Sequence, residues 1–135
     1  MTNYLLDSNH VSPLVTLDHP LRQRVLQAIH RGDVCALTTA NLAEVLFGIG
    51  TVPRAEQNQR EWENLRPSFR LYAMEEQDVI RSVELRIFLR RRGRQIGLVD
   101  AVLAAIALRY DLILLTSDRD FDAVPKLPHE NWLAS

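Results

Sequence analysis

The chain has 135 residues, of which 47% are hydrophobic, and these values suit one globular domain rather than several. Its formal net charge of -1 excludes a strong overall field, so an anionic partner would have to meet a local basic patch. Cys35 is the single cysteine, which excludes an internal disulfide, and no apolar run reaches the ~18 residues of a membrane span. We therefore expect a cytoplasmic protein without a membrane partner.

The first half of the chain alternates short apolar runs with helical patterns. In chain order we predict a strand over residues 4–6, a helix over residues 20–29 and a buried strand over residues 34–37. A second helix is predicted over residues 40–47, ended by Gly48 and Gly50. The pattern is strand, helix, strand, helix.

The second half continues the alternation. A polar helix is predicted over about residues 54–65, a strand over residues 70–73 and a long helix over residues 76–92. That long helix carries an apolar face made of Val79, Ile80, Val83, Ile87 and Phe88. A buried helix opened by Asp100, a strand over residues 112–115 and a last short strand near residues 130–133 follow. This order indicates an α/β fold with a mostly parallel central sheet.

Four acidic residues stand where predicted strands end or neighbouring helices begin. Asp7 follows the first strand, Glu44 lies one turn into the helix after the second, and Asp100 opens the helix that leads to a later strand. Asp118 follows that later strand. Because the carboxyl ends of parallel strands share one edge of a sheet, we expect the four side chains to converge there.

Each of these acids also has an ordinary structural interpretation. Asp7 could be a turn residue, Glu44 the far half of a capping box with Asn41, Asp100 a helix cap, and Asp118 or Asp120 a loop acid. Their convergence is not explained in this way, because neighbouring carboxylates repel unless a cation intervenes. Oxygen ligands suit Mg²⁺ or Mn²⁺, and such an ion can activate water and stabilise charge on a phosphodiester.

Four short segments indicate a protein family when they are taken together, although each is weak evidence alone. They are Leu5-Leu6-Asp7-Ser8-Asn9, then Asn41-Leu42-Ala43-Glu44 with Gly48, then Gly97-Leu98-Val99-Asp100, and finally Leu115-Thr116-Ser117-Asp118-Arg119-Asp120-Phe121. Their order and spacing resemble the PIN domain, and more narrowly the VapC-like toxins of type II toxin-antitoxin systems. The resemblance implies a single PIN-like nuclease domain over residues 1–135, with a three-layer α/β/α fold.

The resemblance also implies a function and a set of site residues. It is that of a Mg²⁺- or Mn²⁺-dependent endoribonuclease, inhibited by a cognate antitoxin and assembled as a homodimer. Its catalytic acids would be Asp7, Glu44, Asp100 and Asp118, of which Asp7, Asp100 and Asp118 would hold the metal, with Ser8, Asn9, Thr116 and Asp120 in support. Whether Asp118 or Asp120 is the fourth acid stays open, and we predict Asp118 because it is nearer to the strand. His10 stands where an apolar residue is more usual.

An RNA substrate requires positive charge, since phosphate contacts dominate affinity. The one dense basic cluster of the sequence comprises Arg86, Arg90, Arg91, Arg92 and Arg94, and we predict RNA contacts for the last four. The alternative is that these arginines only complement the helix dipole and keep the surface soluble.

Two other functions fit parts of the sequence. One is a catalytically inactive PIN-like module that binds RNA or protein, although such a module has no need of four mutually repelling acids. The other is a phosphate-accepting aspartate domain, which also places an acid after its first strand. Against it, no lysine occurs in the C-terminal half before Lys126.

Overall fold

Five strands form one sheet in which every pairing is parallel, as the alternating pattern predicts. The computed structural model describes residues 1–134. The strands are β1 (Asn3–Leu6), β2 (Val34–Thr38), β3 (Arg70–Tyr72), β4 (Ile113–Leu115) and β5 (His129–Glu130). They lie in the order β3-β2-β1-β4-β5, so β1 is central and pairs with both β2 and β4. The first predicted acid therefore follows the central strand.

Six helices cover the two faces of the sheet. They are α1 (Ser8–Val11), α2 (Pro20–His30), α3 (Thr39–Thr51), α4 (Ala55–Leu65), α5 (Glu76–Arg90) and α6 (Leu98–Arg109). Alternate residues of β1 point to opposite faces, because Leu6 packs with α2, α3 and α4 while Leu5 packs with α5 and α6. The predicted three-layer α/β/α architecture is confirmed. No helix within residues 1–134 is both long and apolar enough to span a membrane.

The helix that follows β2 is longer than predicted. Instead of ending at Gly48, α3 continues through Gly48 and Gly50 to Thr51. A glycine weakens a helix but does not end one unless the chain there takes a left-handed conformation. Here α3 stops only ahead of Pro53, which cannot donate a backbone hydrogen bond.

The apolar face that the sequence indicates on the long helix is largely exposed. Val79, Ile80, Val83 and Ile87 are 39% to 54% exposed. The buried face of α5, which packs against α6, carries Leu85 and Leu89 together with Asp78 and Ser82. Asp78 is tolerated there because Arg109 of α6 donates to it at 3.1 Å and because its carboxylate caps its own helix.

The neighbouring helix, α6, is buried as predicted, since all seven residues from Ala101 to Ala107 are buried. This helix runs from the acid-bearing edge of the sheet to the opposite edge, where Asp111 turns the chain into β4. The last strand lies slightly earlier than predicted, because β5 ends at Glu130. These positions place Asp100 and the end of β4 at the same edge as Asp7.

Candidate active site

Asp7 is fixed at the end of the central strand by contacts from three parts of the chain. Its backbone N–H donates to the carbonyl of Leu115 at 2.9 Å, which extends the β1–β4 pairing by one residue. Its Oδ1 accepts from the backbone N–H of Ser8 at 2.7 Å, so Asp7 caps α1. Its Oδ2 accepts from the Thr116 hydroxyl at 2.8 Å and from Asn9 Nδ2 at 3.1 Å. Asp7 is 6% exposed, and these contacts hold its carboxylate in one orientation.

Thr116 links the first acid to the last. While its hydroxyl donates to Asp7, it accepts the backbone N–H of Asp118 at 3.0 Å. Asp118 in turn accepts the backbone N–H of Asp120 on its Oδ1 at 2.9 Å and so caps a short 3₁₀ helix over Arg119–Ala123. Asp118 is half-buried and Asp120 is exposed.

Glu44 reaches the same edge from the first turns of α3. The start of that helix is fixed by a capping box between Thr38 and Asn41, and the Asn41 amide also donates to the carbonyl of Leu6 at 3.0 Å. Glu44 is not part of that capping box, so the capping interpretation of this acid is wrong. Its Oε1 instead accepts from the Ser8 hydroxyl at 3.2 Å.

The four acids influence one another electrostatically. Burial raises the pKa of Asp100 to about 6, and the charges of Asp7, Asp118 and Glu44 add to the rise, with Asp120 contributing least. Burial also raises the pKa of Asp7, against the hydrogen bonds from Thr116 and Ser8, and Asp118 and Glu44 raise it further. The charge of Asp118 therefore raises the pKa values of both Asp7 and Asp100.

A hard divalent cation fits the chemistry of this group of residues. The donors are carboxylate oxygens, backed by the hydroxyl and amide groups of Thr116, Ser8 and Asn9, and these suit Mg²⁺ or Mn²⁺. A cation would also offset the repulsion that adds to the effect of burial in raising the pKa values of Asp7 and Asp100. Among residues 1–134, however, no three acidic, histidine or cysteine side chains already form a ligand set. An ion held by fewer than three of these side chains would keep water molecules as its other ligands.

Comparison with known proteins agrees with the topology of the sheet. Residues 4–127 match the PIN domain. The chain belongs to the PIN-domain family. Over 130 residues this PIN domain is 25% identical to ribonuclease VapC2 of Rickettsia felis, covering 96% of the chain and 97% of that protein.

Solved structures show the same fold. The VapBC2 complex of Rickettsia felis, bound to a DNA fragment from its promoter, contains a chain that matches this PIN domain with a TM-score of 0.84. The two are 23% identical, and the match covers 97% of this chain and 99% of that one. A DNA-bound VapBC of Salmonella typhimurium gives a TM-score of 0.80 at 22% identity, covering 98% and 99%. The PIN-like fold predicted from the four segments is confirmed.

A groove of about 630 Å³ lies along α5 and the segment after it in this PIN domain. Its lining combines three arginines with apolar and backbone surface and ends at Asp120: Val83, Arg86, Ile87, Arg90, Arg94, Gln95, Ile96, Gly97 and Asp120. Of the four arginines predicted to bind RNA, Arg90 and Arg94 line the groove. Arg91 and Arg92 lie outside that lining, and Arg92 stacks 3.5 Å from the centre of the Phe88 ring.

Sequence reasoning missed the part played by His10. The side chain is fully buried and both ring nitrogens are hydrogen-bonded, Nδ1 to Asn9 Oδ1 at 2.7 Å and Nε2 to the backbone of Trp132 at 3.0 Å. The local sequence offered one indication of this role, which is that His10 directly follows Asn9, a predicted supporting residue. The partner at Trp132, 122 residues away, could not be found from local sequence.

Proposed function

We propose that this PIN domain is a metal-dependent endoribonuclease of the VapC type, which hydrolyses RNA phosphodiester bonds. The observation that carries the proposal is the group of Asp7, Glu44, Asp100 and Asp118, which come from four elements to one edge of the sheet, where burial and mutual charge raise the pKa values of Asp7 and Asp100. Unpaired acids in such a group cost stability, which a purely structural role does not explain. The 25% identity to a ribonuclease along nearly the whole chain supports the same activity.

Within this proposal the acids have distinct roles. Asp7, Asp100 and Asp118 would hold Mg²⁺ or Mn²⁺, which when bound supplies an activated water and stabilises negative charge on the phosphodiester. Thr116, Ser8 and Asn9 orient Asp7, and Thr116 sets the position of the Asp118 backbone. Glu44 is exposed and completes the group from the solvent side. We assign the fourth acid to Asp118 and a supporting position to Asp120.

The groove supplies the path for the RNA. Arg86, Arg90 and Arg94 give positive charge for phosphates along α5 and the segment after it, and Val83 and Ile87 give apolar surface between them. The groove reaches Gly97 and Asp120, which lie close in sequence to Asp100 and Asp118. A strand bound there would bring a phosphodiester to the acids.

Two protein partners belong to the proposal. A cognate antitoxin is expected because the similar solved structures are VapBC complexes. A homodimer is expected from the same resemblance, and exposed apolar side chains on α3, above all Phe47 at 73% exposure, support it.

The proposal is tested by incubating the purified protein with RNA and Mg²⁺ or Mn²⁺. We expect cleavage that EDTA abolishes, and we expect Asp7→Asn and Asp100→Asn to reduce it at least about a thousandfold while circular dichroism stays unchanged. Asp111→Asn is the matched control, because Asp111 is exposed and its φ of 55° suits asparagine equally well. Undiminished cleavage by both site variants would exclude the assignment.

One observation favours a second function. Since no three side chains within residues 1–134 form a ready ligand set, the domain could bind RNA or protein without catalysis. The same assay separates the two functions, because an inactive module would retain RNA in filter binding with Mn²⁺ but show no turnover.

A further inference from the structure

The ring of His10 has a single possible hydrogen-bonding arrangement. A backbone N–H can only donate, so the Trp132 N–H, 3.0 Å away, requires Nε2 to be an acceptor without a proton. The proton of the neutral ring is therefore on Nδ1 and is donated to Asn9 Oδ1 at 2.7 Å. Burial, aided by the charge of Arg24, lowers the pKa of His10 to about 4, which keeps the ring neutral.

The orientation of the Asn9 amide follows from this arrangement. Its Oδ1 accepts from His10 Nδ1 and, at 3.2 Å, from the backbone N–H of Ser117. Two donors on one side of the amide place its Nδ2 on the other side, where it donates to Asp7 Oδ2 at 3.1 Å. Without the donor on His10, a rotated amide would present its oxygen to the Asp7 carboxylate, and the two would repel.

The far end of this chain of hydrogen bonds is also fixed. The Trp132 ring packs edge-on against Tyr4 of the central strand, with centroids 4.9 Å apart, and lies 4.2 Å from the Arg24 guanidinium. Its indole N–H donates to Glu130 Oε1 at 2.9 Å. The backbone N–H that determines the protonation of the imidazole is therefore held in place by both the core and β5.

We propose that His10 is a positioning residue of the metal site, which holds the Asn9 amide so that it donates to Asp7, and which is itself oriented by the backbone of Trp132. This inference rests on the proposed function, because it requires Asp7 to bind a divalent ion. The His10 imidazole is fully buried and bonds to Asn9 and to the backbone of Trp132, so its effect on the Asp7 carboxylate passes through Asn9.

Two substitutions distinguish the hydrogen bond made by Nδ1 from the one made by Nε2. In His10→Asn the side-chain amide can occupy the position of Nδ1 and donate to Asn9, but nothing accepts the Trp132 N–H. In His10→Gln the terminal oxygen can occupy the position of Nε2 and accept that N–H, but nothing donates to Asn9. Both variants lose one buried hydrogen bond, so a merely structural histidine predicts similar losses from the two.

The experiment measures Mn²⁺ affinity by titration calorimetry on the full chain. We expect Kd to rise about 10- to 100-fold in His10→Gln, as is usual when an outer-shell partner of a metal ligand is lost, and to stay within about threefold of wild type in His10→Asn. Equal Kd values in both variants, changed or unchanged, would overturn the positioning role. A wild-type protein that binds no Mn²⁺ would overturn the proposed function together with this inference.

A double-mutant cycle tests the route through Asn9. In an Asn9→Ala background the amide is absent, so His10→Gln should leave the Mn²⁺ Kd within about twofold of Asn9→Ala alone. A further loss in that background would show that His10 acts by another path and would overturn the inference. Circular dichroism of each variant confirms that the affinities refer to folded protein.

Discussion

Thr116 serves two acids with one hydroxyl, because it donates to Asp7 and accepts the Asp118 backbone. We predict that Thr116→Val weakens Mn²⁺ binding about 10- to 100-fold, as expected for an outer-shell group, and also removes the partner of the half-buried Asp118 N–H. Titration calorimetry measures the change, and Thr116→Ser, which keeps the hydroxyl, is the control. Equal affinities for the valine and serine variants would show that the hydroxyl has no part in metal binding.

The raised pKa of Asp100 predicts a pH-dependent change in stability. The folded state binds this proton more tightly than the unfolded state, so the stabilisation that the proton provides is present at low pH and is lost as pH rises through about 6. In EDTA at pH 7.5, Asp100→Asn should therefore raise the free energy of unfolding, by at most about 3 kcal/mol at about 1.4 kcal/mol per pKa unit. At pH 4 the difference should be near zero.

Urea denaturation of both proteins at the two pH values measures this difference. Asp111→Asn is again the control and should show no gain at either pH, because Asp111 is exposed. A gain in Asp100→Asn that is the same at pH 4 and pH 7.5 would contradict an origin in the ionisation of Asp100.

At the residue scale, sequence spacing predicted which acids converge but not how they are held. The ends of the predicted strands placed Asp7 and Asp118 at one edge, and topology alone was sufficient for that. The hydrogen bond from Thr116 to Asp7 joins residues 109 positions apart and depends on the pairing of β1 with β4, which the sequence does not state. The choice of Asp118 over Asp120, made because Asp118 is nearer to the strand, stays a prediction.

At the scale of elements, α5 and the turn after it form one wall of the proposed RNA path. We predict that Arg90→Gln with Arg94→Gln weakens RNA binding and reduces the slope of log affinity against log salt by roughly 1.4, at about 0.7 per phosphate contact of a single strand. Filter binding of RNA over a range of salt, in an Asp100→Asn background that prevents cleavage, measures the slope.

Arg91→Gln with Arg92→Gln is the matched control for this prediction. It removes the same charge from the same basic cluster, but neither residue lines the groove, and Arg92 is engaged with Phe88. Its salt slope should stay close to that of the background protein. Equal reductions of the salt slope in both double variants would mean that the basic cluster contributes to RNA binding through its overall charge and not through the groove.

Helix periodicity located α5 and α6 but did not decide which side of α5 is buried. The apolar residues Val79, Val83 and Ile87 pointed to one face, and the structure buries the other, where Arg109 compensates the charge of Asp78. An ion pair between two helices depends on their packing, so no local pattern reveals it. Likewise, α3 passes through Gly48 because tertiary packing outweighs the modest helix propensity of glycine.

At the scale of the whole molecule, an exposed aromatic side chain on α3 points to assembly. Phe47 is 73% exposed and Leu46 beside it is 41% exposed. We predict that the protein is a dimer in solution and that Phe47→Asp makes it a monomer, because a charge at a dry interface lacks a partner. Sedimentation velocity measures the mass, and Leu17→Asp, at an exposed loop position, is the control. A variant that remains dimeric would place the interface elsewhere.

The overall architecture was largely predictable, because alternating strands and helices with short connections leave few alternatives to a covered parallel sheet. The order of the strands was not, since the chain passes from β1 to β2 and β3 before β4 returns to the other side of β1. His10 shows the same limit, because its partner Trp132 lies near the far end of the sequence.

The insertion of β4 beside β1 also has a consequence for synthesis. A ribosome has already made Asp7, Glu44 and Asp100 when it reaches β4, but Thr116 and Asp118 come only with and after that strand. Until β4 pairs with β1, Asp7 lacks its hydroxyl donor and Asp118 is absent from the edge. Truncated products that stop before β4 would thus carry three of the acids without an assembled site, and the proposed nuclease activity would be absent from a nascent chain until β4 and the residues after it have folded.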